Sequence, residues 1–215
     1  MILSPGRGYV FVHIPKTGGT ALSLALEARA MADDILIGDT PKAKRRRGRL
    51  KGARTRGRLW KHSTLADIEG LVPEAVLDRL FAVTLVRNPW DRAVSYYHWL
   101  RDQTFDHPAV RLAQAVEFSR FVLHPQTRLA FRETPAVSYM RRSDGREQAD
   151  LYIRLEAFDA DAAPLADHLG FALDLPRANA SGRAADWRGY YDETTRAAIA
   201  EDCAEDIARF GYSFG

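Results

Sequence analysis

Cysteine is nearly missing from this chain: Cys203 is the only one in 215 residues. No disulfide can form within the chain, and a reducing compartment is allowed. Ala198, Ile199 and Ile207 around it suggest helix packing rather than a nucleophile. There is no run of 18 or more apolar residues, so no transmembrane helix is expected. No basic stretch followed by an apolar core precedes the first strand near residue 9, so no leader is expected either. Together these absences make a soluble, cytoplasmic chain the expectation. His13, His62, His98, His107, His124 and His168 show none of the spacings of zinc ligands, and no metal is expected. The Walker pattern G-x-x-x-x-G-K-[ST] is missing as well.

What is present is concentrated in two stretches. The first is Val10-Phe-Val-His-Ile-Pro-Lys-Thr-Gly-Gly-Thr20, followed by the apolar Ala21-Leu-Ser-Leu-Ala-Leu26. A β-branched and aromatic run stops at Pro15, two glycines and a threonine follow, and helical spacing begins. The pattern predicts strand, loop and helix, with loop amides gathered at a helix N-terminus beside Lys16. Orphan amides, the helix dipole and a cation aimed at one point hold an anion, so phosphate or sulfate is the expected ligand. Gly-Gly-Thr alone would fit any strand-to-helix turn; Pro-Lys-Thr-Gly-Gly-Thr in that position is much more specific.

The second stretch opens with Phe81-Ala-Val-Thr-Leu-Val86, a short apolar run that reads as a buried strand. Arg87-Asn-Pro-Trp-Asp-Arg92-Ala-Val-Ser95-Tyr-Tyr-His-Trp-Leu100 follows, with Pro89 where a helix can start. Asp91, Ser95 and Trp99 share a helix face. Arg87 at the strand exit offers a planar fork of donors and Ser95 a short neutral one, a pair able to converge on one phosphate. Asp91 and Arg92 also fit plain structural ion pairs.

Charge is unevenly spread. Between Pro41 and His62 stand Lys42, Lys44, Arg45, Arg46, Arg47, Arg49, Lys51, Arg54, Arg56, Arg58 and Lys61, with no acid. Without those eleven, 20 cations face 28 acids, so an acidic body carries one basic arm. Gly48, Gly52 and Gly57 break helices and like charges repel, so a mobile insertion is expected at about residues 40–61. Its alternatives are a solvated loop, a clamp for an anionic acceptor or for phosphates, and a nucleic-acid arm.

Elsewhere, helices are expected at about residues 19–32, 74–80, 89–101, 109–122, 160–169 (capped by Asp159) and 194–210, and a strand at 151–155. Residues 123–149, with Pro125, Pro135 and Asp144-Gly145, read as loop with short elements. Strand–helix alternation predicts one α/β domain with a central parallel sheet flanked by helices, and both anion loops at the carboxyl ends of strands.

Pro15-Lys-Thr-Gly-Gly-Thr20 with Val86-Arg-Asn-Pro-Trp-Asp-Arg92-Ala-Val-Ser95 resembles the two cofactor signatures of sulfotransferases that use 3′-phosphoadenosine 5′-phosphosulfate, PAPS. The chain is most similar to the bacterial subgroup akin to carbohydrate sulfotransferases of the uronyl 2-O type. Asp150-Leu-Tyr-Ile-Arg-Leu-Glu156, Leu175-Pro-Arg-Ala-Asn179-Ala-Ser181, Trp187-Arg-Gly-Tyr190-Tyr191 and Asp206 to Phe214 extend the likeness. The resemblance implies one sulfotransferase domain over 1–215, with a P-loop-like three-layer fold. It implies sulfuryl transfer to a hydroxyl-bearing acceptor, a saccharide by resemblance and anionic if the arm clamps it. The first loop (Lys16, Thr17, Gly18, Gly19, Thr20) would bind the 5′-phosphosulfate, with Lys16 at the transferring end. Arg87 and Ser95 would bind the 3′-phosphate, with Arg183 reaching it from a late loop.

Deprotonating a hydroxyl favours histidine. His62 is the first choice because it follows the arm, where the subgroup also has a histidine; the arm's cations would lower its pKa. His62 otherwise caps a helix starting near Ser63. His13 is read as loop support, His98 as packing or cofactor contact, and Asp91 and Glu156 as reserve bases. Trp60, Trp90, Tyr190 and Tyr191 are stacking candidates, Trp90 foremost. The alternatives are a P-loop-type nucleotide kinase, which lacks its Walker lysine here, and a non-enzymatic glycan or nucleic-acid binder. The second leaves the paired anion loops unexplained, so nucleic acid is not the expected partner.

Overall fold

Residues 1–176 and 186–215 are described by the computed structural model. In chain order the first half holds β1 (Ile2–Ser4), β2 (Tyr9–Val12), α1 (Gly19–Ala28), β3 (Ile35–Leu36), α2 (Pro41–Arg46), α3 (Glu74–Leu77), β4 (Phe81–Val86) and α4 (Pro89–Arg101). Then come α5 (Pro108–Ala115), α6 (Phe118–Leu123), α7 (Pro125–Glu133), α8 (Ala136–Tyr139), β5 (Leu151–Arg154), α9 (Phe158–Asp161), α10 (Ala163–Leu169), α11 (Glu193–Asp202) and α12 (Ala204–Phe210).

The strands form one sheet in the order β3-β1-β2-β4-β5. The expected parallel core is there: β2 pairs β4 with Tyr9 opposite Phe81, and β4 pairs β5 with Val83 opposite Leu151, both in parallel. The sheet is nevertheless mixed, because β1 runs antiparallel to both β2 and β3. Three-residue Ile2–Ser4 and two-residue β3 are too short to show a period in sequence. The fold class is therefore α/β, with a central, mostly parallel sheet flanked by helices.

The described residues pack as two compact units, residues 1–86 with 136–176 and residues 87–135 with 186–215. In the first, Leu22 and Leu26 of α1 and Leu165 and Leu169 of α10 share a core with Tyr9, Phe11, Val83, Leu85 and Ile153. The alternate residues Val10, Val12, Ala82, Thr84 and Val86 are buried too. Burial on both faces explains why β2 and β4 read as continuous apolar runs.

In the second unit, Trp90, Ala93, Val94, Tyr97 and Leu100 of α4 pack with Val110, Phe118, Phe121, Phe131, Ala198 and Ile199. Arg128 and Arg132 of α7 both donate to Asp202, whose side chain is fully buried. Cys203 lies in this core, and burial pushes its thiol up to about 12, a packing residue as its neighbours indicate.

Several boundaries differ from expectation. Residues 123–149 are not mainly loop: Pro125 starts α7 at its first turn, with the His124 ring accepting from the Gln126 amide. The helix expected over 109–122 is split at Val116–Glu117, and the one over 194–210 at Cys203. Asp192 and Thr195 form a capping box at the start of α11. Asp159 lies within α9 instead of capping, and Asp161 pairs with Arg154. Helix α1 stops at Ala28 and α3 at Leu77, short of the predicted ends.

Candidate active site

The Pro15–Thr20 loop leaves the carboxyl end of β2 and runs into α1 in the first unit. Lys16 has φ +67°, the one left-handed non-glycine residue among the described residues. Gly18 follows at φ +87° and stands at the N-cap of α1. Two left-handed residues within three turn the chain sharply, and no side chain caps the helix. Ala21 and Leu22 reach back to the Gly18 carbonyl, so the Gly19 and Thr20 amides precede the first helical bonds. The Thr17 hydroxyl donates to the Ile14 carbonyl at 2.9 Å, which ties the loop to the end of the strand it leaves.

Both glycines are fixed by what lies against them. A Cβ at Gly18 would fall 2.7 Å from Leu155 Cδ1, and one at Gly19 would fall 2.1 Å from His13 Cδ2. The loop is thus pressed onto its own scaffold at both glycines, neither of which leaves room for a side chain.

His62 joins this loop from 49 residues away. Its Nδ1 lies 2.7 Å from the His13 carbonyl oxygen. A carbonyl only accepts, so Nδ1 carries the proton and Nε2 keeps its lone pair. The His62 ring meets the His13 ring edge-on at 4.6 Å and Trp60 edge-on at 5.0 Å. Burial brings the His62 imidazole down to about 4, opposed by the His13 carbonyl and aided by Lys61. The expected lowering by the arm is therefore mostly an effect of desolvation. Burial likewise holds His13 well below its ordinary value. No helix starts at Ser63: its hydroxyl is 2.8 Å from the Arg58 carbonyl and 2.9 Å from that of Trp60, closing a turn that carries His62.

The basic arm is partly helical. Thr40 caps α2 and donates to Glu27 at 2.7 Å, and Pro41 starts the helix, which ends before Gly48. Five cations tie the arm down. Lys42 donates to the Glu27 carbonyl, Arg46 to that of Met31 at 2.7 Å and Arg49 to that of Ala32. Arg47 and Lys61 pair with Asp39 at 3.8 and 2.9 Å. Lys44, Arg45, Lys51, Arg54, Arg56 and Arg58 are exposed and, among the described residues, in no ion pair. Three of the five are held by main-chain carbonyls, which any residue could supply, so the eleven charges look equivalent in sequence.

In the second unit, Asn88 caps α4 through the Trp90 amide, and Pro89 opens it. Arg87 Nε and Nη2 both donate to Asp91 Oδ2, at 2.9 and 2.7 Å. The carboxylate thereby orients the guanidinium. Ser95 is buried one turn further on. Arg92 lies 4.0 Å from Asp206, the structural pair anticipated for it. Trp90, the leading stacking candidate, is 4 % exposed, donates from Nε1 to the Arg196 carbonyl and packs on Phe214. It is a core residue. Tyr191 donates to the Trp90 carbonyl, and Tyr190 packs on His98 and Phe118. Trp60, 45 % exposed, is the stacking candidate left with an open face. Arg183 lies outside the described residues. Among the described residues no three His, Cys, Asp or Glu side chains gather as metal ligands, and no helix is long and apolar enough to cross a membrane.

No family model and no curated protein matches the sequence. Among solved structures the chain is similar to mouse sulfotransferase SULT7A1 complexed with PAP. The identity is 17 % and the TM-score 0.47, over 94 % of this chain and 84 % of that one.

Proposed function

We propose that the chain transfers a sulfuryl group from PAPS to a hydroxyl of an acceptor, a carbohydrate or glycoconjugate. One observation carries the reading: an anion-cradling loop holding Lys16 and an imidazole with a bare Nε2 meet at His13, within one unit. The loop suits the charged end of the donor because Lys16 stands beside the Gly19 and Thr20 amides, which precede the first helical bonds of α1. The donor supplies an activated sulfuryl group with a phosphate as its leaving group. Lys16 and the amides of residues 17–20 hold that end, where negative charge grows as the bond breaks; such a preorganised donor is typically worth about 3 kcal/mol. His62 receives the acceptor's proton at Nε2, the nitrogen its hydrogen bond leaves available.

Arg87 and Ser95 are assigned to the 3′-phosphate, with Arg183 as a further ligand, on the resemblance of their sequence signatures. A sulfuryl group carries less negative charge than a terminal phosphoryl, so lysine and amide dipoles can support its transfer. The six exposed arm cations favour an anionic saccharide as acceptor, through long-range attraction rather than shape.

Calorimetry with PAPS and with its desulfated product should show binding in the presence of a metal chelator. Radiolabelled PAPS offered with a panel of cell-envelope polysaccharides and glycolipids should label one of them. Strict dependence on Mg²⁺, or a preference for ATP, overturns the assignment.

A further inference from the structure

We infer that His13 is a positioning residue: its carbonyl fixes the tautomer of His62, and its ring, wedged between α1 and His62, fixes the angle at which Nε2 is presented. The inference rests on the reading of His62 as the base, and four observations carry it. The Nδ1-to-carbonyl bond is 2.7 Å long, and the acceptor at its end has no proton to give. The His13 ring stacks along Phe11 at 6.0 Å with an interplanar angle of 21°, which fixes it against β2. Its Cδ2 edge occupies the place a Gly19 Cβ would take, at 2.1 Å, so the residue that opens α1 has to be glycine for the ring to fit. The same ring meets His62 edge-on at 4.6 Å and 71°.

A neutral imidazole has one donor and one acceptor, and a base needs its acceptor aimed at the substrate. A carbonyl at Nδ1 solves that problem as a carboxylate does in other histidine-based sites, without adding a charge beside the ring. Here the carbonyl belongs to the residue that directly follows β2, three positions before Lys16. Strand β2, the anion loop and the base are thereby set by one residue.

The test uses the full chain labelled with ¹⁵N in its histidines, with long-range ¹H–¹⁵N spectra reading each ring nitrogen. At pH 7 the wild type should show His62 protonated on Nδ1 and bare on Nε2. His13→Ala keeps the main-chain carbonyl and so should keep that tautomer, while loss of the ring contact shifts the His62 ring signals and broadens them; His13→Asn, which keeps a planar group against Gly19, should restore much of the wild-type pattern. In PAPS kinetics His13→Ala should lower kcat on the order of tenfold to a hundredfold while KM for PAPS stays near wild type, with partial rescue in His13→Asn. If His13→Ala fails to fold, Gly19→Ala displaces the ring from the other side and should disturb the same His62 signals. A wild-type His62 protonated on Nε2 overturns the inference by itself. So does a folded His13→Ala with the His62 ring signals and kcat both unchanged. A wild type with bare Nε2 but no sulfuryl transfer supports the positioning and removes the functional reading.

Discussion

Lys16 combines a left-handed backbone with the one cation in the loop. For a residue with a Cβ such a conformation stores on the order of 1–3 kcal/mol, and it persists where the surroundings impose it. Backbone and side chain can therefore be separated by mutation. Lys16→Gly removes the charge and the strain together, so its urea midpoint should equal or exceed that of the wild type. Turnover at saturating PAPS should fall about a hundredfold, more than PAPS affinity does, because the charge Lys16 faces grows in the transition state. A variant with weakened binding but normal turnover would make Lys16 a plain anchor. His62 argues differently. A base is lost when it is protonated, so the rate should be level from pH 8 through 6.5 and fall only toward 4. Lys61 and Asp39 are the side-chain charges acting on it, with the His13 carbonyl on Nδ1. Burial is the largest cause, so 1 M salt should hardly move the bend. A bend in kcat/KM near 6.5 that shifts with salt would return the control of His62 to the arm.

At the scale of elements, the sequence was legible where one signal decided the outcome. β4 and α4 stand at their expected bounds, since a continuous apolar run meets Pro89 with Asn88 ahead of it as a cap. The glycines and lysine of the first loop announced a strand–loop–helix turn for the same reason. Legibility failed where a residue type has two uses. Pro125 was read as a breaker and is a starter; Trp90 was read as a stacking surface and is core. The link from His13 to His62 could not be read at all, because its acceptor is a main-chain carbonyl that every residue carries. The first turn of α4 offers a test of its own. Arg87→Ala should weaken binding of the desulfated product by about a hundredfold, the usual worth of an arginine on a phosphate, and Ser95→Ala by less. Asp91→Ala should weaken it less than Arg87→Ala, since it frees the guanidinium from its orienting carboxylate without removing it. Calorimetry giving wild-type affinity for both Arg87→Ala and Ser95→Ala would place the 3′-phosphate elsewhere.

For the whole molecule, a buried His13 and a partly buried His62, both holding their pKa down, make acid a threat before the carboxylates titrate. The folded pKa of each is depressed, so from about 6.5 downward the unfolded chain binds protons that the folded chain refuses, and stability falls with pH. Each histidine contributes a slope of about 1.4 kcal/mol per pH unit at most. Glu27, whose carboxyl burial raises, works in the opposite sense. Urea unfolding at pH 7 and pH 5 should show His62→Gln losing about 1–2 kcal/mol less than the wild type. Equal losses in both proteins would contradict the lowered pKa of His62.

The order of the segments along the chain has a consequence for synthesis. β4 ends at Val86, but its partner β5 is complete only at Arg154, and Asp202, which Arg128 and Arg132 require, comes later still. At roughly 5–20 residues per second, the translating ribosome leaves one edge of β4 unpaired for roughly 3–14 s. An open apolar edge is a template for the wrong strand. The finished sheet covers that edge, so the chain is most exposed to misassembly while it is still being made, before Arg154 emerges.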